Sequence, residues 1–307
     1  MENYISNVVE LAFADSLSTD DTVEILSNEL TQMSNGEFCE LLEVTGYIPD
    51  TYPPDSSRET LFSKLIEQVV CEWSKRCGFH QSYLQTQKWS VEDITITDGM
   101  NVIVADAKTF RLGRSQAAPN VKDVIKQGDY QKWIQKHQNQ TRLGGIVTFP
   151  HKFEWKTSSD VHSYLTDSSN PILLLYYYHL SAMIKFDIGR QEILDFFANH
   201  PRYFPSIIPK SANPKNHYFS ILETHFFGTK KDEYLGYKEE VSLKIKRLKA
   251  NAIQRLNSKI TEIEQRISEE LDQHKNYDSL RDFASQMLKK ERTSDLVRIK
   301  GNIEKFR

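Results

Sequence analysis

Cysteine is scarce in this sequence, and the few cysteines present are not arranged as a metal site or a disulfide framework. Cys39, Cys71 and Cys77 are odd in number and form neither a Cys-x-x-Cys pair nor a zinc-type spacing with histidine. The nine histidines also lack a metal-ligand spacing. We therefore expect reduced structural thiols, and histidines that serve packing or the surface.

Long apolar runs are missing as well. The longest, residues 171–180, contains three tyrosines and a histidine and is far shorter than a bilayer requires. The N-terminus carries acids and has no basic region followed by a small-residue cleavage site. These features predict a cytoplasmic protein with no membrane partner.

An excess of positive charge is the third absence. The 307 residues carry a formal net charge of −3, so an affinity for nucleic acid must come from local charge. The fractions of hydrophobic residues, 39%, and charged residues, 26%, are ordinary for globular proteins and exclude global disorder.

Three segments follow from the pattern along the chain. Residues 1–55 predict short amphipathic helices, and residues 56–235 a core that begins with a helix at about 58–77. Residues 236–307 predict a helical hairpin or bundle, with a long helix at about 237–273 followed by two returning helices. The apolar stripe of the long helix suits packing within the chain or against a second subunit.

Within the core the spacing of apolar residues changes from the helical period of three to four residues to an alternation of every second residue. A hairpin is predicted at 93–109 around Asp98-Gly99, with further strands at 144–149 and 172–178. A helix is predicted between them, at about 120–137. This order indicates an α/β (mixed α+β) fold, with a central mixed sheet flanked by helices.

The hairpin carries the residues that suggest chemistry. Side chains alternate along a strand, so Asp106 and Lys108 share one face. If Thr97 pairs with Val102, Asp93 lies directly opposite Asp106. Two carboxylates and one ammonium then occupy one small surface, although an ordinary salt bridge at a sheet edge explains the same pattern.

Adjacent carboxylates repel each other unless a proton or cation lies between them, and oxygen ligands suit Mg²⁺. Asp93, Asp106 and the carbonyl of Ala107 are therefore the predicted metal ligands, and Lys108 is suited to orient a water molecule or stabilise negative charge. A second acid-x-Lys tripeptide, residues 154–156, lacks a preceding apolar strand and an upstream acid.

Residues 104–114 (VADAKTFRLGR) resemble the active-site strand of the HindIII-type restriction endonucleases, within the PD-(D/E)xK nuclease superfamily. Ser56-Ser57, Glu59, residues 61–64 and Asn120 with Lys122-Asp123 also resemble that family. The resemblance covers about residues 40–125. It departs from the family in a longer loop at 116–119 and in Thr86, which stands where an acid is expected.

The resemblance implies a homodimeric type II enzyme that binds palindromic duplex AAGCTT and hydrolyses each strand with Mg²⁺, leaving 5′-phosphates. Asp93, Asp106 and Lys108 match the catalytic positions. It also implies a companion methyltransferase in the same system, without a stable complex.

The resemblance places Asn120, Lys122 and Asp123 in the major groove. These residue types suit adenine, guanine and cytosine respectively. From the residues alone, the start of a helix is the better explanation of these three residues. Arg111 and Arg114 are further candidates for DNA binding.

Within the core, residues 111–142 are predicted to be the DNA-reading segment, and local charge supports this. Residues 106–142 contain eight Lys or Arg and three acids, a balance of +5 in an acidic chain. A solvated helix face is the alternative.

Glu59 is a candidate supporting acid at the metal site, or a first-turn carboxylate that interacts with its helix dipole. Trp133 is expected in the core.

Two other functions compete with a restriction enzyme. One is a structure-specific repair or recombination nuclease of the same superfamily. The other is a non-catalytic DNA-binding or scaffold protein that assembles through its long helix. The cut position, the number of metal ions and the dimer interface do not follow from the sequence.

Overall fold

The computed structural model of the chain describes residues 1–85, 91–112, 121–150, 161–204, 214–272 and 278–305. The helices are α1 Tyr4–Ala14, α2 Thr19–Gln32, α3 Asn35–Val44, α4 Ser57–Arg76, α5 Val121–Val124, α6 Gln127–Gln135, α7 Val161–Leu165, α8 Tyr177–Lys185, α9 Arg190–Tyr203, α10 Pro214–Phe227, α11 Lys231–Asp272 and α12 Asp278–Lys305. The strands are β1 Tyr47–Ile48, β2 Tyr83–Leu84, β3 Ile94–Thr97, β4 Asn101–Ala107, β5 Phe110–Arg111, β6 Thr141–Phe149 and β7 Ile172–Tyr176.

Serine caps start the N-terminal helices where the sequence suggests. Ser34 and Glu37 form a reciprocal capping box at α3, and the Ser56 hydroxyl accepts a hydrogen bond from the backbone of Glu59 at α4. Helix α4 ends before Gly78, whose φ of +99° closes the helix in a conformation that favours glycine. The predicted helix at 58–77 is thus confirmed.

The sheet is mixed, with the strand order β2-β3-β4-β6-β7. Strands β2, β3 and β4 pair antiparallel, whereas β4, β6 and β7 pair parallel. Strand β4 is central and is buried from Val102 to Ala107. Helix α4 packs against β3 and β4, so the predicted mixed α/β fold is confirmed.

The predicted hairpin has the expected register. Thr97 pairs with Val102 and Ile94 with Ala105. The Asp98 carboxylate accepts hydrogen bonds from the backbone N–H of Met100 and Asn101, and Gly99 has a φ of +95°. This turn sets the pairing and therefore decides which residues lie opposite each other.

The predicted single helix at 120–137 is wrong in the described part, because α5 ends at Val124 and α6 begins at Gln127. The backbone of Lys126 leaves the helical region, with a ψ of 75°. Val124 and Tyr130 are both buried, yet their spacing would place them about 120° apart around a continuous helix. A break between the two short helices allows both residues to reach the core.

Two other boundaries differ from the prediction. The strand expected at 172–178 ends at Tyr176, because the Nδ1 atom of His179 accepts the Tyr176 N–H and starts α8. The two helices expected after residue 277 are one, α12. The hydroxyls of Thr293 and Ser294 bond to backbone carbonyls of the preceding turn instead of capping a new helix.

The apolar stripe of α11 packs within the chain. Its side chains are buried from Val241 through Leu256, and the Tyr237 hydroxyl donates to Glu43 of α3. Helix α12 returns along α11, where Lys249 donates to the backbone carbonyl of Glu304. No helix in the described ranges is long and apolar enough to span a bilayer.

The three cysteines are free and buried. Burial raises the pKa of the Cys71 thiol to about 11, which is typical of an unreactive structural residue. The expectation that the three cysteines are reduced structural thiols is confirmed. The division of the chain at residues 55 and 235 stays a prediction.

Candidate active site

Asp93, Asp106 and Lys108 meet at the carboxyl end of β4. Asp93 directly precedes Ile94, the residue of β3 that pairs with Ala105, and its N–H donates to the Ala105 carbonyl at 3.1 Å. This position brings its carboxyl group beside that of Asp106. The Lys108 Nζ atom lies 2.5 Å from Oδ2 of Asp106. The structure therefore brings together all three residues predicted as catalytic.

The backbone around Asp106 holds these side chains in place. Asp106 and Ala107 pair with Val147 and Thr148 of β6, and the Lys108 N–H donates to the Thr148 carbonyl at 3.0 Å. The Ala107 N–H donates to Oδ2 of Asp93 at 2.9 Å. Since the N–H and C=O of one strand residue point to the same side, the Ala107 carbonyl faces the edge occupied by Asp93.

Electrostatic crowding is strongest at Asp93. Although the residue keeps some contact with solvent, its carboxyl group is enclosed, and burial raises its pKa well above the ordinary value. The neighbouring carboxyl groups of Asp106 and Glu67 raise this pKa further, and Lys108 opposes them. Such a set of acids favours the binding of a proton or a cation.

Glu67 is a functional candidate that the sequence analysis missed. It lies on α4, where burial raises its pKa and nearby Asp106 adds to the effect. The Lys64 ammonium donates to Glu67 at 2.7 Å and to the Gln85 carbonyl at 3.2 Å. A usable sign was present, because Glu67 lies among the apolar residues Leu65, Ile66, Val69 and Val70 in the middle of the predicted helix.

Glu59, the acid expected to support the site, has other partners. Its carboxylate accepts the Asp55 N–H at 2.7 Å and forms an ion pair with Arg111 at 2.8 Å. The Arg111 guanidinium also donates to the carbonyls of Pro49 and Tyr52. Glu59 and Arg111 therefore connect the loop before α4 to the strand after Lys108. The charge that raises the pKa of Asp93 from α4 is that of Glu67.

Comparisons with known proteins agree with this geometry. The family model of the HindIII restriction endonuclease matches residues 2–270. The chain belongs to the HindIII restriction endonuclease family. One relative, the type II restriction enzyme HindIII of Haemophilus influenzae, is 25% identical over 166 residues, which are 54% of this chain and 52% of the relative. The matched part thus spans about half the length of that relative, and the resemblance seen in residues 104–114 is confirmed at the level of the family.

A buried acid links the catalytic hairpin to the basic segment, residues 106–142. Oε1 of Glu92, next to Asp93, accepts hydrogen bonds from Thr95 at 2.9 Å and Gln85 at 3.3 Å. The same oxygen lies 2.7 Å from Nε2 of His137, which follows α6. The basic segment is therefore anchored beside the active site by side chains that the sequence analysis did not single out.

The basic segment presents its charge to solvent. The exposed cations in its described part are Lys126, Lys132, Lys136 and Arg142. Trp133 is buried and its ring packs against that of Tyr130, so its expected place in the core is confirmed.

The side chains of all three predicted base-reading residues, Asn120, Lys122 and Asp123, lie outside the described part of the structure. Asn120 and Arg114 are outside the described residues, as are Thr86, the loop 116–119 and the second tripeptide at 154–156. Lys122 and Asp123 belong to α5, but only their backbone is described. Their roles in DNA recognition stay predictions.

The donor set suits a hard divalent cation. The described part of the chain contains no group of three or more His, Cys, Asp and Glu side chains that could hold a metal ion. Asp93, Asp106 and the Ala107 carbonyl form a different set, of two carboxylates and one backbone oxygen. Oxygen donors and the raised pKa of Asp93 fit a divalent metal, which restriction endonucleases as a family generally use.

Proposed function

We propose that this protein is a type II restriction endonuclease that recognises palindromic AAGCTT in duplex DNA and hydrolyses both strands with Mg²⁺, leaving 5′-phosphates. The observation that carries the proposal is the meeting of Asp93, Asp106 and Lys108 at the carboxyl end of β4, the central strand of the sheet. Membership of the HindIII restriction endonuclease family supports it.

Asp93, Asp106 and the carbonyl of Ala107 would hold the Mg²⁺ ion. The ion would supply charge neutralisation at the phosphodiester and lower the pKa of a water molecule. Lys108, held against Asp106, is placed to orient the attacking water and to stabilise negative charge that develops on the phosphate. Glu67, with its pKa raised by burial and neighbouring acids, adds a third carboxyl group on this side of the sheet.

DNA binding is assigned to residues after the catalytic strand. Asn120, Lys122 and Asp123 would read the half-site, and the exposed cations of the basic segment would contact phosphates. Arg114 and Arg111 are further proposed contacts, although Arg111 must first exchange its ion pair with Glu59. A palindromic site favours a symmetric homodimer, and a companion methyltransferase would protect host DNA.

A digest of a long, fully sequenced DNA tests the proposal directly. Purified protein is incubated with Mg²⁺ or with EDTA, and the fragment ends are sequenced. Fragments that end only at AAGCTT, and only with Mg²⁺, support the proposal. Cutting at another fixed sequence would keep the active site and overturn the base-reading assignment, and cutting at branched structures alone would indicate a repair or recombination nuclease.

Two variants separate chemistry from recognition. Asp106→Ala should abolish cleavage and keep specific binding, because metal binding and base contacts use different residues. Cleavage by this variant at the wild-type rate would refute the assigned site. Exchange of Lys122 should weaken discrimination at guanine by about 1–3 kcal/mol. An equal loss of affinity on every sequence would make Lys122 a phosphate contact.

A further inference from the structure

The main chain of Lys108 lies at a place where the sheet cannot complete its own hydrogen bonds. The Lys108 N–H donates to Thr148 of β6, as a parallel ladder requires. The same register places Lys108 opposite Phe149, so its carbonyl should accept from the N–H of residue 150. That residue is Pro150, which has no N–H.

A tyrosine hydroxyl supplies the missing hydrogen bond. Tyr177, the first residue of α8, is fully buried, and its hydroxyl donates to the Lys108 carbonyl at 3.0 Å. The Thr148 hydroxyl donates in turn to the Tyr177 oxygen at 3.3 Å. Because the oxygen already accepts this bond, the Tyr177 proton is directed towards Lys108.

The ring of Tyr177 is held by an unusually close approach of backbone. Gly46 has a φ of +87°, and a Cβ atom at this position would lie 2.4 Å from Cε2 of Tyr177 and 2.9 Å from Cγ of Pro150. The Gly46 carbonyl accepts the Phe110 N–H at 2.9 Å, two residues after Lys108. The Tyr177 ring therefore lies between Pro150, which follows β6, and Gly46, which binds the backbone just after Lys108.

We propose that Tyr177 is a positioning residue for Lys108. Its hydroxyl substitutes for the ladder hydrogen bond that Pro150 cannot provide, and so fixes the backbone from which the lysine side chain leaves the sheet. A catalytic group must be held within a fraction of an ångström by its supporting residues. This inference rests on the proposed nuclease function and adds a residue to it that does not touch DNA.

Tyr177→Phe keeps the ring and removes only the hydroxyl. Tyr218→Phe is a matched control, because Tyr218 is also buried and its hydroxyl accepts the backbone N–H of Leu174 on β7, away from Lys108. We expect Tyr177→Phe to lower the single-turnover cleavage rate about 10- to 100-fold with unchanged affinity for DNA, measured in EDTA. Tyr218→Phe should keep the wild-type rate.

The same experiment contains its refutations. Cleavage by Tyr177→Phe at the wild-type rate, or an equal fall in both variants, would overturn the proposal. Absence of cleavage by the wild-type protein would instead refute the proposed nuclease function.

A second-site variant tests the physical reason. Pro150→Ala restores an N–H at the ladder position, so the double variant Tyr177→Phe, Pro150→Ala should recover part of the lost rate. A purely structural loss would not be repaired in this way. No recovery would overturn the assignment of Tyr177 as a substitute ladder donor.

Discussion

Replacement of Asp93 by asparagine should stabilise the metal-free protein while it abolishes cleavage. The asparagine oxygen can still accept the Ala107 N–H, so the local backbone is preserved. The change removes a carboxyl group whose pKa is raised by burial and by the charges of Asp106 and Glu67. A residue that opposes folding in the absence of metal is one that the fold retains for another purpose.

The size of the effect follows from the charges around Asp93. Two like charges about 4 Å apart repel by about 4 kcal/mol at the effective dielectric constant of a protein. Lys108 offsets part of this repulsion. We therefore expect Asp93→Asn to increase the free energy of unfolding by on the order of 1–3 kcal/mol at pH 8 in EDTA.

The sign of the pH dependence is also defined. An acid whose pKa is raised by folding binds a proton more readily in the folded state. Its contribution to the free energy of unfolding therefore falls as the pH rises from about 4 through the raised pKa. The stabilisation by Asp93→Asn should accordingly be large at pH 8 and should shrink as the pH falls towards 4.

Urea unfolding of the wild type and the variant at several pH values measures this difference. Asp98→Asn is a matched control of opposite sign. Burial acts to raise the pKa of Asp98, but hydrogen bonds from Asn101 and Met100 and the charge of Arg190 outweigh it and lower that pKa. Its loss should therefore destabilise the protein at neutral pH. If Asp93→Asn destabilised the metal-free protein at pH 8, the account of crowded carboxylates would be wrong.

Two further predictions each have a matched control. Glu67→Gln should lower the cleavage rate about 10- to 100-fold, whereas Glu59→Gln should change it little because Glu59 pairs with an arginine; equal rates for both variants would contradict the role of Glu67. Gly145→Ala should destabilise the protein by about 1–3 kcal/mol in urea unfolding, because its Cβ atom would lie 2.2 Å from the ring of Tyr130. Gly128→Ala meets no atom within 4 Å and should be neutral or stabilising, so a similar loss in both would refute the steric reason.

Local patterns in the sequence were sufficient to predict the catalytic hairpin. Alternating apolar residues and the Asp98-Gly99 turn determine which residues of the hairpin pair, and the pairing of Ile94 with Ala105 brings the adjacent residues Asp93 and Asp106 close together. The same argument puts Lys108 beside Asp106, because side chains two residues apart on a strand share one face. These features depend on residues close together in the chain, and a sequence shows such relations directly.

The helix boundaries could not be predicted from local patterns alone, because they depend on which residues are buried. The spacing of Val124 and Tyr130 indicates the break between α5 and α6 only when both residues are known to be buried. Thr293 and Ser294 look like a helix cap in sequence, whereas their hydroxyls bond within α12. Either outcome is available to such residues, and tertiary packing decides between them.

By itself, the sequence determined the hairpin, its paired acids and the lysine beside them, since each follows from short-range spacing. Only the tertiary structure decided which distant residues join them. Glu67 and Glu59 lie on one helix, yet only Glu67 adds its charge to Asp93 and Asp106. In sequence Tyr177 is one of three consecutive tyrosines expected in the core, but the position of the start of α8 brings its hydroxyl to Thr148 and Lys108. The direction in which a helix packs on a sheet is set by the whole core, and no local pattern contains it.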